Sequence, residues 1–107
     1  MNRVGFLLRV KPDMIDEYKA RHRAVWPEML AALRRHGWHN YSLFMRPDGL
    51  LFGYFETPES LPAAHAGMAQ EDVNSRWQAF MAPLFQSVDG ADADRLMVEL
   101  EQVFFLE

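Results

Sequence analysis

The period of the hydrophobic residues changes once near the start of the chain, at Lys11-Pro12-Asp13. Before that point apolar and other residues alternate over residues 3–10, which predicts a strand. One face of this strand carries only apolar side chains: Val4, Phe6, Leu8 and Val10. After it the apolar spacing is three to four, which predicts a helix, with Asp13 expected as its N-cap. A strand followed directly by an amphipathic helix is the start of a mixed α and β domain.

The helix is expected in two pieces. Its apolar stripe runs from Ile15 to Leu33, and Pro27 interrupts it because proline removes a backbone donor and restricts Trp26. We therefore expect a break near residues 23–26. Gly37 is the expected left-handed residue after the second piece.

The rest of the chain predicts a hairpin, a second helical region and a last strand. Aromatic and aliphatic residues fill 38–46 and 50–56, and Pro47-Asp48-Gly49 between them is typical of a tight turn. Helical spacing is weak over residues 62–69 and strong over 71–82. A polar loop around Gly90 then leads to a long strand expected over 95–106. The order β–α–β–β–α–β is the ferredoxin-like arrangement, an antiparallel four-stranded sheet with helices on one face.

Composition indicates that this one domain, residues 1–107, has more apolar surface than a single small core needs. The 107 residues include 14 aromatic residues (Phe 8, Trp 3, Tyr 3) and 7 Met. No further element is available to cover the second face of the sheet. We therefore expect a homodimer of the dimeric α/β-barrel type, with the C-terminal strand near the partner.

Several classes of protein are excluded or disfavoured by composition. The chain has no Cys, which rules out disulfides and thiolate chemistry. No apolar run approaches the roughly 18–20 residues that span a bilayer, and no signal peptide is visible, so we expect a cytoplasmic protein. Residues 1–46 hold nine Lys/Arg and four Asp/Glu, and residues 47–107 hold two and eleven. Because the basic residues are scattered, we expect the two halves to complement each other and expect no nucleic-acid partner.

Candidate chemistry centres on Tyr18 and His22, which lie one helical turn apart on the apolar stripe. An imidazole is the best-matched acid or base at neutral pH, although a histidine packed at a helix edge has the same spacing. Trp77 and Gln78 form a second candidate, because indole faces pack against sugar C–H faces, yet Trp77 by default belongs to the core. His39 to Ser42 form a third, with His39 and Tyr41 expected on one face of their strand.

Metal and nucleophilic chemistry have weak support. His36 and His39 are separated by Gly37-Trp38, which breaks the helix, and no third ligand is evident. The chain shows neither a glycine-rich phosphate loop nor a nucleophilic Ser motif. No metal site is expected.

Taken together, these motifs resemble the L-rhamnose mutarotase family over essentially the whole chain. The matching stretches are Lys11-Pro12-Asp13, Glu17-Tyr18, Arg21-His22, Trp26-Pro27-Glu28, Gly37, His39-Asn40-Tyr41, Leu50-Leu51-Phe52, Arg76-Trp77 and Glu101 to Leu106. The resemblance implies a dimeric ferredoxin-like isomerase that needs no cofactor and interconverts the α and β anomers of L-rhamnose. It also implies that His22 is the proton donor and that Tyr18, Tyr41 and Trp77 contact the sugar.

One position departs from the family pattern and leaves the substrate open. Gln78 stands where the family often has a second Trp, so L-fucose or another 6-deoxyhexose is the nearest alternative to L-rhamnose. Two other functions remain open. One is a cofactor-free monooxygenase of the same dimeric fold, and the other is a non-catalytic module that binds a small ligand.

Overall fold

Strand β1 is the centre of the sheet in a computed structural model that describes residues 1–88 and 96–107. The loop expected around Gly90 lies outside the described residues. In chain order the elements are β1 (Asn2–Val10), α1 (Ile15–His22), α2 (Pro27–Arg35), β2 (His39–Met45), β3 (Leu50–Thr57), α3 (Leu61–Met68), α4 (Asp72–Met81), β4 (Phe85–Gln86) and β5 (Val98–Leu100).

The sheet is antiparallel, and its path is β2-β3-β1-β4, with β5 also paired to β1. β3 pairs with one edge of β1 over the whole strand. β4 and β5 share the other edge, β4 at Arg9 and Val10 and β5 at Gly5 to Leu7. This arrangement confirms the predicted ferredoxin-like α+β fold, with one short strand, β4, that the sequence does not predict.

The helices cover the face of the sheet that the alternation predicts. Val4, Phe6, Leu8 and Val10 of β1 are buried, and they pack with Leu51 and Phe55 of β3. Residues from all four helices complete this core, among them Tyr18, Ala32, Met68 and Trp77. We call this covered side the helical face of the sheet and the opposite side its outer face.

The break in the first helical region is confirmed. α1 ends at His22 and α2 begins with Pro27, whose missing N–H costs nothing at a first helical position. Gly37 follows α2 at φ +81°, and the amide of Trp38 donates to the Leu33 carbonyl across the turn. A Cβ at Gly37 would lie 2.8 Å from Cδ of Pro58, so this turn also needs glycine for space.

Two local predictions are wrong. Asp13 is not a helix N-cap, because Pro12–Met14 forms a 3₁₀ turn and α1 starts only after it. The last strand is also much shorter than predicted. Within the described residues it spans Val98–Leu100, and residues 101–107 have no regular secondary structure, because the sheet pairs with this segment only along three residues of β1.

The predicted geometry at the start of β2 is altered by an irregularity in the pairing. His39 pairs with Glu56 and Ser42 pairs with Tyr54, so one extra residue lies on β2, where Asn40 has φ +50°. Because paired residues share a face, His39 lies with Glu56 on the outer face. The Tyr41 ring contacts Phe55 on the helical face instead. The expectation that His39 and Tyr41 share a face is therefore wrong.

No helix in the described ranges is long and apolar enough to cross a lipid bilayer.

Candidate active site

A cavity of about 1030 Å³ lies between the helical face of the sheet and the helices. All five residues singled out from the sequence line it: Tyr18, His22, Tyr41, Trp77 and Gln78. They come from α1, β2 and α4, which are far apart in the sequence. The fold therefore brings the predicted residues together in one place.

Helix α1 contributes the titratable pair. The rings of Tyr18 and His22 are stacked, with centroids 4.2 Å apart and planes inclined by 28°. The spacing of four residues produces this contact directly, because it superposes side chains on consecutive turns. The edge of Trp77 on α4 closes the other side of His22, with ring centroids 5.7 Å apart.

His22 is held in a defined tautomer. Its Nδ1 lies 3.1 Å from the carbonyl oxygen of Tyr18, and a carbonyl only accepts hydrogen bonds. Nδ1 therefore carries the hydrogen, and Nε2 of the neutral ring keeps its lone pair. Burial lowers the pKa of His22 below its ordinary value, and the bond to the Tyr18 carbonyl opposes this only in part. At neutral pH the ring is thus a base.

The two tyrosines provide hydroxyl groups that stay protonated. Burial raises the pKa of Tyr18, and the nearby phenol of Tyr41 raises it further. Burial also raises the pKa of Tyr41. Both groups therefore donate hydrogen bonds at neutral pH and do not act as bases.

Trp77 and Gln78 occupy different environments. Trp77 is only 6% exposed and is enclosed by His22, Trp26 and Phe80, so it forms a rigid wall of the cavity. Gln78 is exposed, and its amide donates to Oδ1 of Asn74 at 3.2 Å. Both residues lie at the cavity, as the sequence predicts. Gln78 presents an amide at the position where the family often has the flat indole of a second Trp.

Arg21 fixes α1 against α4 beside this site. Its guanidinium lies 4.0 Å above the Phe80 ring and donates to the Phe80 carbonyl, while Nε donates to Glu17 at 2.8 Å. These contacts join the helix that carries His22 to the helix that carries Trp77. Arg21 therefore positions the site without lining it.

Sequence analysis missed several residues that line the cavity. His65, Trp38 and Asn74 belong to it, and the remaining walls are largely Met and Leu side chains. His65 lies on α3, where the apolar spacing is weak and indicates no face. Trp38 is the first residue of the stretch predicted as a strand, but β2 begins only at His39, and alternation alone does not indicate that the indole enters a cavity. No group of three metal-ligating side chains occurs among the residues that the structure describes.

The cavity thus combines a neutral histidine, two protonated phenols and a largely apolar wall, which are groups suited to proton transfer. A family model described as L-rhamnose mutarotase matches residues 3–106. The chain belongs to the L-rhamnose mutarotase family, which confirms both the resemblance and the expected isomerase class.

Known members are similar over their full length. The L-rhamnose mutarotase of Oceanobacillus iheyensis is 38% identical and that of Bacillus subtilis 37% identical, each with 100% of both chains covered. The crystal structure of an L-rhamnose mutarotase from Formosa agariphila superposes with a TM-score of 0.80 at 26% identity, again over 100% of both chains. These relatives do not favour a monooxygenase or a non-catalytic module.

Proposed function

We propose that this chain interconverts the α and β anomers of L-rhamnose through a ring-opened aldehyde. The observation that carries the proposal is the neutral His22 in a cavity shared with two protonated tyrosines, in a member of this family. The reaction moves protons and breaks only the bond between C1 and the ring oxygen. It therefore needs groups of this kind and no oxidation.

His22 carries the proton between the two oxygens on C1. Its Nε2 accepts the proton of the anomeric hydroxyl, the C1–ring-oxygen bond breaks, and the imidazolium returns the proton to the ring oxygen. Rotation about C1–C2 and closure on the other face give the second anomer. His22 is thus both the base of the first transfer and the proton donor of the second. General acid–base catalysis of this kind contributes about 10²–10⁴-fold.

The other cavity residues bind the sugar. Tyr18 and Tyr41 donate hydrogen bonds to sugar oxygens, and the indole of Trp77 packs against C–H groups of the pyranose. Gln78 binds a hydroxyl at the open side of the cavity. The apolar Met and Leu walls accept the methyl group that distinguishes a 6-deoxyhexose. L-Fucose has the same methyl group and is the nearest competing substrate.

Anomer-exchange NMR tests this function. We expect the wild-type chain to accelerate α/β exchange of L-rhamnose and His22→Ala to reduce that acceleration by about 100-fold or more. Arg23→Ala is the matched control, since it changes the next residue, which is exposed and lies outside the cavity. Exchange rates that stay at the buffer value with wild-type protein contradict the proposal.

We also propose that two copies pair through the outer face of the sheet. Phe44 and Phe52 are 63% and 39% exposed there and stack on each other, and Phe104 in the C-terminal segment is 68% exposed. A patch of this kind is typical of a subunit contact.

The proposed location is the cytoplasm, since the chain has no Cys for the disulfides common in exported proteins.

A further inference from the structure

A second histidine lines the cavity and has no part in the proton transfers described above. His65 lies on α3 with its ring 5.6 Å from that of Trp38, edge to face. Its Nε2 lies 3.2 Å from the sulfur of Met97. Burial lowers the pKa of His65, opposed in part by Glu99, so the ring is neutral at neutral pH.

His65 and His22 approach the cavity from different walls. His22 belongs to an aromatic cluster with Tyr18 and Trp77. His65 belongs to another cluster, through Trp38 to Tyr41. The two clusters meet at the tyrosines, because the phenol of Tyr41 is near enough to raise the pKa of Tyr18. His22 on α1 and His65 on α3 line the same cavity, so a pyranose with C1 at His22 has its other ring hydroxyls available to His65.

The present partner of His65 is a poor one. A thioether is a weak acceptor, whereas a sugar hydroxyl both accepts and donates strong hydrogen bonds. The neighbouring cavity residues Met68, Leu96 and Met97 are apolar. His65 is exposed, so a sugar hydroxyl that replaces the sulfur also displaces water, and the net gain is that of one ordinary hydrogen bond.

We infer that His65 hydrogen-bonds a ring hydroxyl remote from the anomeric carbon and so helps to select the sugar. The inference rests on the proposed function, because it takes the position of C1 from the role of His22. It assigns His65 to binding, which separates its expected effect from that of His22. Loss of His65 weakens sugar binding and leaves the proton transfers intact.

The first experiment measures kcat and KM by exchange NMR and the Kd of L-rhamnose by calorimetry. For His65→Ala we expect KM and Kd to rise about tenfold, the equivalent of one hydrogen bond, with kcat within about twofold of wild type. His65→Gln places an amide where Nε2 was and recovers part of the affinity. Ala66→Ser is the control for a purely structural role, because it changes the next residue of α3, which is exposed and lies outside the cavity lining, and it is expected to bind like wild type.

The second experiment identifies the hydroxyl. Wild type and His65→Ala are compared with the 2-deoxy, 3-deoxy and 4-deoxy analogues of L-rhamnose. The penalty of His65→Ala should vanish for one analogue and persist for the other two, since the missing hydroxyl leaves no bond to lose. An unchanged Kd in folded His65→Ala, an equal penalty on all three analogues, or an equal penalty in Ala66→Ser each overturns the inference.

Calorimetry separates this inference from the proposed function. If wild-type protein binds L-rhamnose without accelerating exchange, the mutarotase proposal fails, and the Kd series still decides whether His65 contacts the sugar. If exchange is accelerated and the Kd series shows no effect, the inference about His65 fails alone.

Discussion

The helix that carries His22 also determines which of its nitrogens is free. Because the Tyr18 carbonyl can only accept, Nδ1 must donate to it, and Nε2 is the atom available to substrate. The same ring is partly buried between Tyr18 and Trp77, which disfavours the charged form. Tautomer and protonation state therefore both follow from where one residue lies on α1.

A pH profile follows from the lowered pKa of His22. The base is neutral above that pKa, so we expect kcat/KM, which reports the free enzyme, to stay constant from about pH 8 to below pH 6.5, the ordinary value, and to fall only at lower pH as the ring is protonated. Exchange NMR measures this, with the rate in buffer alone subtracted at each pH. A midpoint above pH 6.5 contradicts the assignment of His22 as a desolvated base.

Part of the site could be predicted from the sequence because it depends on local geometry. A spacing of four on a helix places Tyr18 beside His22 wherever that helix forms, and Trp77 lies on a strong apolar stripe. His65 and Trp38 enter the cavity only because α3 and the linker after Gly37 pack against the sheet. No local pattern encodes that tertiary contact.

At the scale of elements, one cluster of charges joins α2 to the junction of α3 and α4. Glu71 accepts hydrogen bonds from Arg35 at 2.9 and 3.2 Å and from Nε2 of His36 at 2.7 Å. Gly67 leaves room for the histidine, since a Cβ there would lie 2.4 Å from Nδ1 of His36. These contacts hold together the helices on which Trp77 and His65 lie.

This cluster makes the stability of the folded state depend on pH in the acid range. Arg35 and His36 lower the pKa of Glu71 to about 2. A carboxyl whose pKa is lower in the folded state stabilises it above the unfolded pKa, near 4.3, and this contribution is lost as the pH falls toward 2. We therefore expect Glu71→Gln to lower Tm at pH 7 and to flatten the fall of Tm between about pH 5 and pH 2.

Glu59→Gln is the control. It changes an exposed carboxyl and should leave both the Tm at pH 7 and its fall in acid unchanged. Parallel melting curves of wild type and Glu71→Gln over this range contradict the expectation.

The sequence predicts most elements because each has a strong local signal. Pro27 and Gly37 delimit α2, and Asp48-Gly49 closes the hairpin, where Gly49 has φ +94°. The predictions that failed concern elements without such a local signal. Two-residue β4 is too short to show a period, and the length of β5 depends on how much of the β1 edge is free.

At the scale of the whole molecule, the two halves of opposite charge are joined within the fold. Arg35 of the basic half pairs with Glu71 of the acidic half, and Arg9 lies 3.9 Å from Asp48. The complementarity expected from the sequence is therefore present inside one chain. The contact that we propose between two copies therefore rests on the exposed apolar side chains of the outer face.

The exposed aromatic side chains of the outer face are where the proposed dimer can be tested. Phe44 is 63% exposed and stacks on Phe52 with ring centroids 6.4 Å apart, while Phe105 lies under the guanidinium of Arg3 on the same side of the chain. A stable interface buries about 800 Å² per partner, and we propose that this apolar patch and the C-terminal segment together form it.

We expect the wild-type chain to sediment at twice its chain mass at micromolar concentration. Phe44→Glu should raise the dimer dissociation constant by at least tenfold, because it places a charge in the buried centre of the contact. Ala31→Glu adds the same charge on the exposed side of α2, where it should change nothing. Phe44 also lines the cavity, so sugar binding is tested with Phe52→Glu, which changes the neighbouring exposed ring outside the cavity lining; this monomer should keep the sugar Kd if one chain completes the site. A wild-type monomer at these concentrations contradicts the proposed dimer, and weaker sugar binding by a folded Phe52→Glu monomer shows that each site needs both copies.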